Sequence, residues 1–139
     1  MKQLNTIKQT KFLKRDLYFT RDHEWIDFQG SVAYTGVCPF KLKGIKNIDK
    51  IVFSKSGIIY KAGDTIGSIY YAGYKIDIHI PVTGRILSFN DDLLRGNQNI
   101  LLDQPENEGW FALVTPASPY DRTGLVIAEQ YRIKTKTLC

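Results

Sequence analysis

The clearest periodic signal in the chain lies at Tyr74–Ile80, where Ile76, Ile78 and Ile80 alternate with Lys75, Asp77 and His79. A period of two sends alternate side chains to opposite faces, so this segment is predicted to be a half-buried β-strand. Just before it, Thr65–Tyr71 is rich in β-branched and aromatic residues and reads as a partner strand, separated from the first by Ala72-Gly73. Further strand-like runs are Leu17–Thr20, Trp25–Phe28, Ser31–Val37, Lys50–Phe53, Ile58–Tyr60, Arg85–Phe89 and Trp110–Val114. Turn residues punctuate them at Gln29-Gly30, Ser56-Gly57, Ala62-Gly63-Asp64 and Pro81–Gly84. Between Pro39 and Ile48 the apolar spacing is mixed and Gly44 interrupts it, which predicts one short helical turn at most. Asn90–Asn99 reads as a loop in which Asp91–Leu94 form a helical turn. Pro116 and Pro119 end the last strand, and Thr123–Lys136 is expected to hold a short C-terminal helix. Many short strands between glycine turns predict a mainly β chain, a flattened barrel or sandwich with a short internal helix and a C-terminal helix.

Composition adds bounds to this picture. The 139 residues make one domain, and 43% hydrophobic content is enough to build its core. Residues 1–16 carry Lys2, Lys8, Lys11, Lys14 and Arg15 and read as a basic extension; residues 134–139 read as a tail. The formal net charge of +5 raises the question of acidic partners. No apolar run reaches the roughly 20 residues of a membrane helix. The N-terminus lacks the apolar centre of a secretory signal, so a cytoplasmic protein is expected. Cys38 and Cys139 are far apart in sequence and form no CxxC pair, so both are expected to be free thiols.

If Ala72 and Gly73 occupy a two-residue turn, Tyr71 faces Tyr74, Tyr70 faces Lys75, Ile69 faces Ile76 and Ser68 faces Asp77. Tyr70 and Lys75 then stand on the face opposite the buried isoleucines. The result is a protruding hairpin with aromatic residues and a cation near its tip.

Several segments share their order and spacing with a known family. Phe19-Thr20-Arg21-Asp22-His23-Glu24-Trp25-Ile26 resembles its Y-T-x-x-H-E-W opening, and Val32–Val37 its V-A-x-x-G-I strand. Lys61–Asp64 matches the turn before its carrier hairpin. Asp77-Ile78-His79-Ile80-Pro81-Val82-Thr83-Gly84 is similar to D-V-Y-x-P-V-S-G, Glu108-Gly109-Trp110-Phe111 to E-G-W-L, and Ala128–Tyr131 to A-E-x-Y. The family is the H protein of the glycine cleavage system, a relative of lipoyl and biotinyl carrier domains. The resemblance covers residues 17–133 and carries His23, Glu24, Trp25, Asp77, Pro81, Gly84, Gly109 and Trp110 as family positions. It implies a lipoyl-domain-like hybrid barrel and a non-catalytic shuttle. In that family a lipoyl lysine takes the aminomethyl group from the P protein, presents it to the T protein and is reoxidised by the L protein; a lipoate ligase installs the group.

One position departs from the pattern. The family motif reads E-S-V-K-A-x-S-D-V-Y-x-P-V, and a gap-free match on Asp77 and Pro81 places its lipoyl lysine at Gly73. The preceding E-S-V becomes Tyr70-Tyr71-Ala72. Glycine cannot hold an amide-linked lipoyl group, so no cofactor is expected, with Lys75 as the fallback acceptor. Loss of the site is favoured over a slipped register, because Lys75 would sit beyond the turn beside Tyr70. The basic charge agrees, since the family is typically acidic. The alternative function is a non-lipoylated adaptor that recognises a partner through the hairpin residues Tyr70, Tyr71, Tyr74 and Lys75.

The remaining candidates point elsewhere. Asp22, His23 and Glu24 alternate between strand faces and cannot converge on one ion by themselves, so no metal is expected. His79 and Asp77 share a strand face and could titrate as a pair. Tyrosines beside lysine can stack on nucleic-acid bases, but no RNA-binding signature accompanies them, so nucleic acid is not the expected partner. No P-loop, GxSxG or HExxH motif is present, so no catalytic residue is assigned.

Overall fold

The structure is a computed structural model that describes residues 17–117, 124–127 and 129–131. Among the described residues ten strands run in chain order: β1 Tyr18–Phe19, β2 Glu24–Gln29, β3 Val32–Val37, β4 Lys50–Phe53, β5 Ile59–Tyr60, β6 Thr65–Tyr71, β7 Tyr74–His79, β8 Gly84–Phe89, β9 Ala112–Pro116 and β10 Val126–Ile127. They form a seven-stranded sheet of order β10-β1-β2-β3-β9-β8-β5 and a three-stranded sheet of order β4-β6-β7. Two short helices, α1 Asp91–Leu94 and α2 Asn99–Asp103, lie between β8 and β9. The mainly β, two-sheet architecture expected from the strand pattern is the one observed.

The main core draws from both sheets. Ile26, Ala33, Ile86, Ala112 and Val114 come from the large sheet, and Ile66, Ile69 and Ile78 from the small one. At about 1.5–3 kcal/mol for each fully buried large apolar side chain, this layer is what fastens the small sheet to the large one. A second cluster of Phe19, Trp25, Cys38 and Tyr131 forms apart from it. Because β2 supplies Trp25 to one cluster and Ile26 to the other, it is buried on both faces and does not alternate in polarity.

Several local expectations need correction. Gln29 pairs with Val32, so the β2–β3 turn is Gly30-Ser31, not Gln29-Gly30; Gly30 supplies the positive φ of +66°. The segment after Pro39 keeps within its expectation of one short helical turn at most: it makes successive turns, with Leu42 N–H donating to Pro39 O and Ile45 N–H to Leu42 O. α2 falls where no helix was expected; Leu101 buries in the core and holds a five-residue helix that local propensity alone would not announce. Trp110 precedes the strand it was expected to open, and Pro116 belongs to β9, paired with Gly84. Within the expected C-terminal helix, Val126–Ile127 is instead a strand edge on β1, and residues 129–131 are helical. The basic extension 1–16, the tail 134–139 and Cys139 lie outside the described residues.

Candidate functional site

The hairpin of β6 and β7 has the register its sequence predicts: Tyr71 faces Tyr74, Tyr70 faces Lys75, Ile69 faces Ile76 and Ser68 faces Asp77. Its tip is Ala72-Gly73, with φ of +47° and +82°. Two successive positive φ values make the tight turn whose twist suits a two-residue hairpin. Gly73 meets this demand freely, whereas Ala72 is strained by its Cβ. Asp49 offsets the strain: its Oδ2 accepts from Ala72 N–H at 3.1 Å, while its own N–H donates to Tyr70 O at 2.8 Å. The tip is therefore tied to the start of β4.

Alternation sends Ile69, Tyr71, Ile76 and Ile78 toward the core and Tyr70, Lys75, Asp77 and His79 outward. Tyr71 packs partly against the core and lies 5.8 Å from Tyr74, ring to ring. Tyr74 is 67% exposed, and so is the most prominent aromatic residue at the tip. On the outer face, the Lys50 ammonium sits 4.9 Å from the centre of the Tyr70 ring. Lys75 is half-exposed, with Nζ 3.6 Å from Asp77 Oδ1. Asp77 also accepts from Ser68 Oγ at 2.8 Å, and that bond, more than Lys75, holds its carboxyl below the usual range.

His79, the last residue of β7, does not pair with Asp77 as expected. Its partner is Glu24, whose Oε2 accepts from His79 N–H at 2.7 Å and lies 3.0 Å from His79 Nδ1. Lys41 Nζ reaches the same oxygen at 2.7 Å. Glu24 is buried, 1% exposed, and burial raises its carboxyl above the ordinary range despite the opposing effect of Lys41. Asp22 Oδ2 lies 3.8 Å from His79 Nδ1. Asp22 and His23 lie in the turn before β2, so the expected strand alternation does not govern them, and β7 brings His79 to Asp22 and Glu24. Only the packing of the two sheets against each other brings them together.

His23 turns to the other side. Its φ of +61° marks the corner between β1 and β2, closed by Thr20 N–H donating to Glu24 O. Its ring packs on Phe40, and Nδ1 lies 2.8 Å from the Tyr131 hydroxyl; burial lowers its pKa.

The matches to known proteins concern this same arrangement. The family model described as "Glycine cleavage H-protein" matches residues 17–138. The chain belongs to the glycine cleavage H-protein family. Among relatives, the "Glycine cleavage system H protein" of Bacteroides thetaiotaomicron is 30% identical over 85% of this chain and 93% of its own length. The protein of the same description from Phenylobacterium zucineum is 31% identical over 81% and 93%, respectively. A crystal structure of a glycine cleavage system H protein from Mycobacterium marinum superposes with a TM-score of 0.73 at 21% identity, covering 88% of this chain and 98% of that one, and supports the fold.

The H-protein family positions fall into distinct structural roles. Trp25 is fully buried, donates from Nε1 to Pro105 O at 3.0 Å, and faces Gly36, where a Cβ would come within 2.4 Å of the indole. Gly84 and Gly109 lie where a Cβ would meet Thr115 O at 2.6 Å and Ile100 O at 2.4 Å. Trp110 packs edge-on to Tyr34, and half-buried Pro81 follows β7. These residues hold the body together. H proteins are carriers rather than enzymes and bear lipoate on a lysine. In this chain the tip residues are alanine and glycine. No helix among the described residues is long and apolar enough to cross a membrane.

Proposed function

We propose that this chain is an H-type protein that keeps the family's docking body but carries no lipoyl arm, and so acts by binding rather than by shuttling an aminomethyl group. The observation that carries this reading is Gly73: it occupies the matched acceptor position at the tip and offers no amine. Lys75 is a poor substitute. It lies within β7, opposite Tyr70, with its ammonium beside Asp77 rather than at the turn. A swinging arm needs an anchor at the free end of the hairpin, and Lys75 is the second residue of β7, past the turn.

The partner surface in this reading is the tip and its outer face: Tyr70, Tyr71, Tyr74 and Lys75. An exposed tyrosine beside a lysine is suited to a protein partner, because aromatic residues supply contact area at low entropic cost. The candidate partners are the P, T and L proteins of a glycine cleavage system. The test is binding of the full, unmodified chain to each of these proteins, measured by biolayer interferometry, together with the Tyr74→Ala and Lys75→Ala variants. Binding that the variants weaken supports the reading. Equal binding by both variants, or binding only after lipoylation of the chain, contradicts it.

A further inference from the structure

We propose that Lys50, Tyr70 and Lys75, on the outer face of the small sheet, seat a carboxylate from an acidic segment of a partner protein. That role rests on the proposed reading of the hairpin as a partner surface, to which it adds the partner's chemistry and a strand outside the hairpin, β4. The three residues form one row across the sheet: Lys50 pairs with Tyr70 on β6, and Tyr70 with Lys75 on β7. With neighbouring strands about 4.8 Å apart, the two lysine backbones are roughly 10 Å apart, one on each side of the tyrosine. Lys50 Nζ already lies 4.9 Å from the ring centre. Lysine stems are long and flexible enough to bring both ammoniums over the ring. An anion seated there meets two positive charges above an aromatic floor.

Charge complementarity selects the occupant. Lys50 pairs with no carboxylate among the described residues. Lys75 has a long contact to Asp77, 3.6 Å, and that same Oδ1 accepts from Ser68 Oγ at 2.8 Å. Charge-assisted hydrogen bonds are shorter, about 2.7–2.9 Å, so neither ammonium is held by a close acid. The other acid at this end of the sheet, Asp49, is engaged by Ala72 N–H. The family motif has glutamate at the position of Tyr70, so the centre of this face has exchanged an acid for an aromatic ring between two cations. A surface of that sign attracts an acidic partner and repels a basic one. Along β4, Val52 is 45% exposed and shares the face of Lys50. It offers contact to an apolar residue beside the partner's carboxylate.

The test is titration of the full, isotope-labelled chain with the peptide acetyl-Glu-Glu-Val-Glu-Glu-amide, read by backbone amide chemical shifts, with the glutamine counterpart as control. The glutamate peptide should shift the amides of Lys50, Tyr70 and Lys75, and the glutamine peptide should not. Lys50→Gln and Lys75→Gln should each weaken the affinity by about two- to fivefold, the range of exposed ion pairs. Salt near 1 M, where the screening length is about 3 Å, should abolish the shifts. Both lysines are exposed, so the variants keep the fold, which circular dichroism verifies. Absence of these shifts at millimolar peptide, equal shifts from the glutamine peptide, shifts confined to residues 1–16, or unchanged affinity in both variants overturns the proposal. Tighter binding of oligothymidylate at the same amides also overturns it, because the occupant is then a nucleic acid. None of these readouts involves the P, T or L protein. No peptide shifts, with Tyr74-dependent binding of one of those proteins, removes the acidic partner and leaves the proposed function standing. Peptide binding without binding of any of them keeps the carboxylate seat and removes that function.

Discussion

Gly73→Lys puts an amine at the hairpin tip, and the local geometry sets what it should cost. A Cβ at Gly73 meets nothing within 4 Å, so there is no steric penalty. The cost is conformational: φ is +82°, and a residue with a Cβ pays about 1–2 kcal/mol in that region. Asp49 still anchors the turn through Ala72 N–H, which the substitution leaves in place. For a domain of this size, 1 kcal/mol shifts Tm by roughly 4 °C, so a decrease of about 4–8 °C is expected. The melt is followed by circular dichroism, and the intact mass is measured after co-expression with a lipoate ligase. The variant should remain folded and gain a lipoyl adduct on the introduced amine. A loss of stability above about 3 kcal/mol would refute the open turn, since the strain of one left-handed residue does not reach that value. A folded but wholly unmodified variant would refute the idea that the missing amine is what separates this hairpin from its lipoylated relatives.

Gly36→Ala places a Cβ 2.4–2.6 Å from three indole atoms of Trp25, which is fully buried and fixed to Pro105 O. Overpacking of this kind costs about 1–3 kcal/mol, so the urea midpoint should fall; an unchanged midpoint would contradict the Trp25–Gly36 contact. Ala72→Asn should stabilise the chain by roughly 0.5–1 kcal/mol, because asparagine tolerates the left-handed region and favours this turn; a lower Tm would argue against the turn type. Burial pushes the Cys38 thiol up to about 12, so it should resist alkylation at pH 8 until the chain unfolds, as read by mapping the Cys38 peptide. The same shift sets a sign for pH. Above about pH 9 the unfolded chain releases this proton and the folded chain keeps it, so the Cys38 contribution to stability is intact below pH 9 and declines as pH rises toward 12. Burial raises the Tyr131 hydroxyl in the same direction. A stability that rises across this range would contradict both.

The parts of the molecule legible in the sequence are those ruled by local pattern. Alternation at Ile76, Ile78 and Ile80, with Ala72-Gly73 before it, was sufficient to fix the hairpin register pair by pair. Strand β2 was harder to read, because Glu24, Trp25, Ile26 and Asp27 are all buried and a strand covered on both faces loses its period. Helix α2 and strand β10 are short elements held by tertiary partners, Leu101 in the core and β1 along its edge, so nothing in their own residues announces them. The same limit applies to the candidate sites. The hairpin tip is contiguous in sequence and legible there, whereas Glu24 and His79 are 55 residues apart and meet only through the packing of two sheets. Adjacency on its own strand points His79 to Asp77, whereas its partner Glu24 stands on β2.

The central claim is that this H-type protein bears no lipoyl group, because Gly73 stands where the acceptor amine belongs and Lys75 is held within β7. The most direct measurement is the intact mass of the full, unaltered chain after co-expression with a lipoate ligase and an excess of lipoate, with peptide mapping of the 65–80 segment. The account predicts the unmodified mass and an unmodified Lys75. A lipoyl adduct on Lys75 would contradict it and return the chain to the ranks of shuttling carriers.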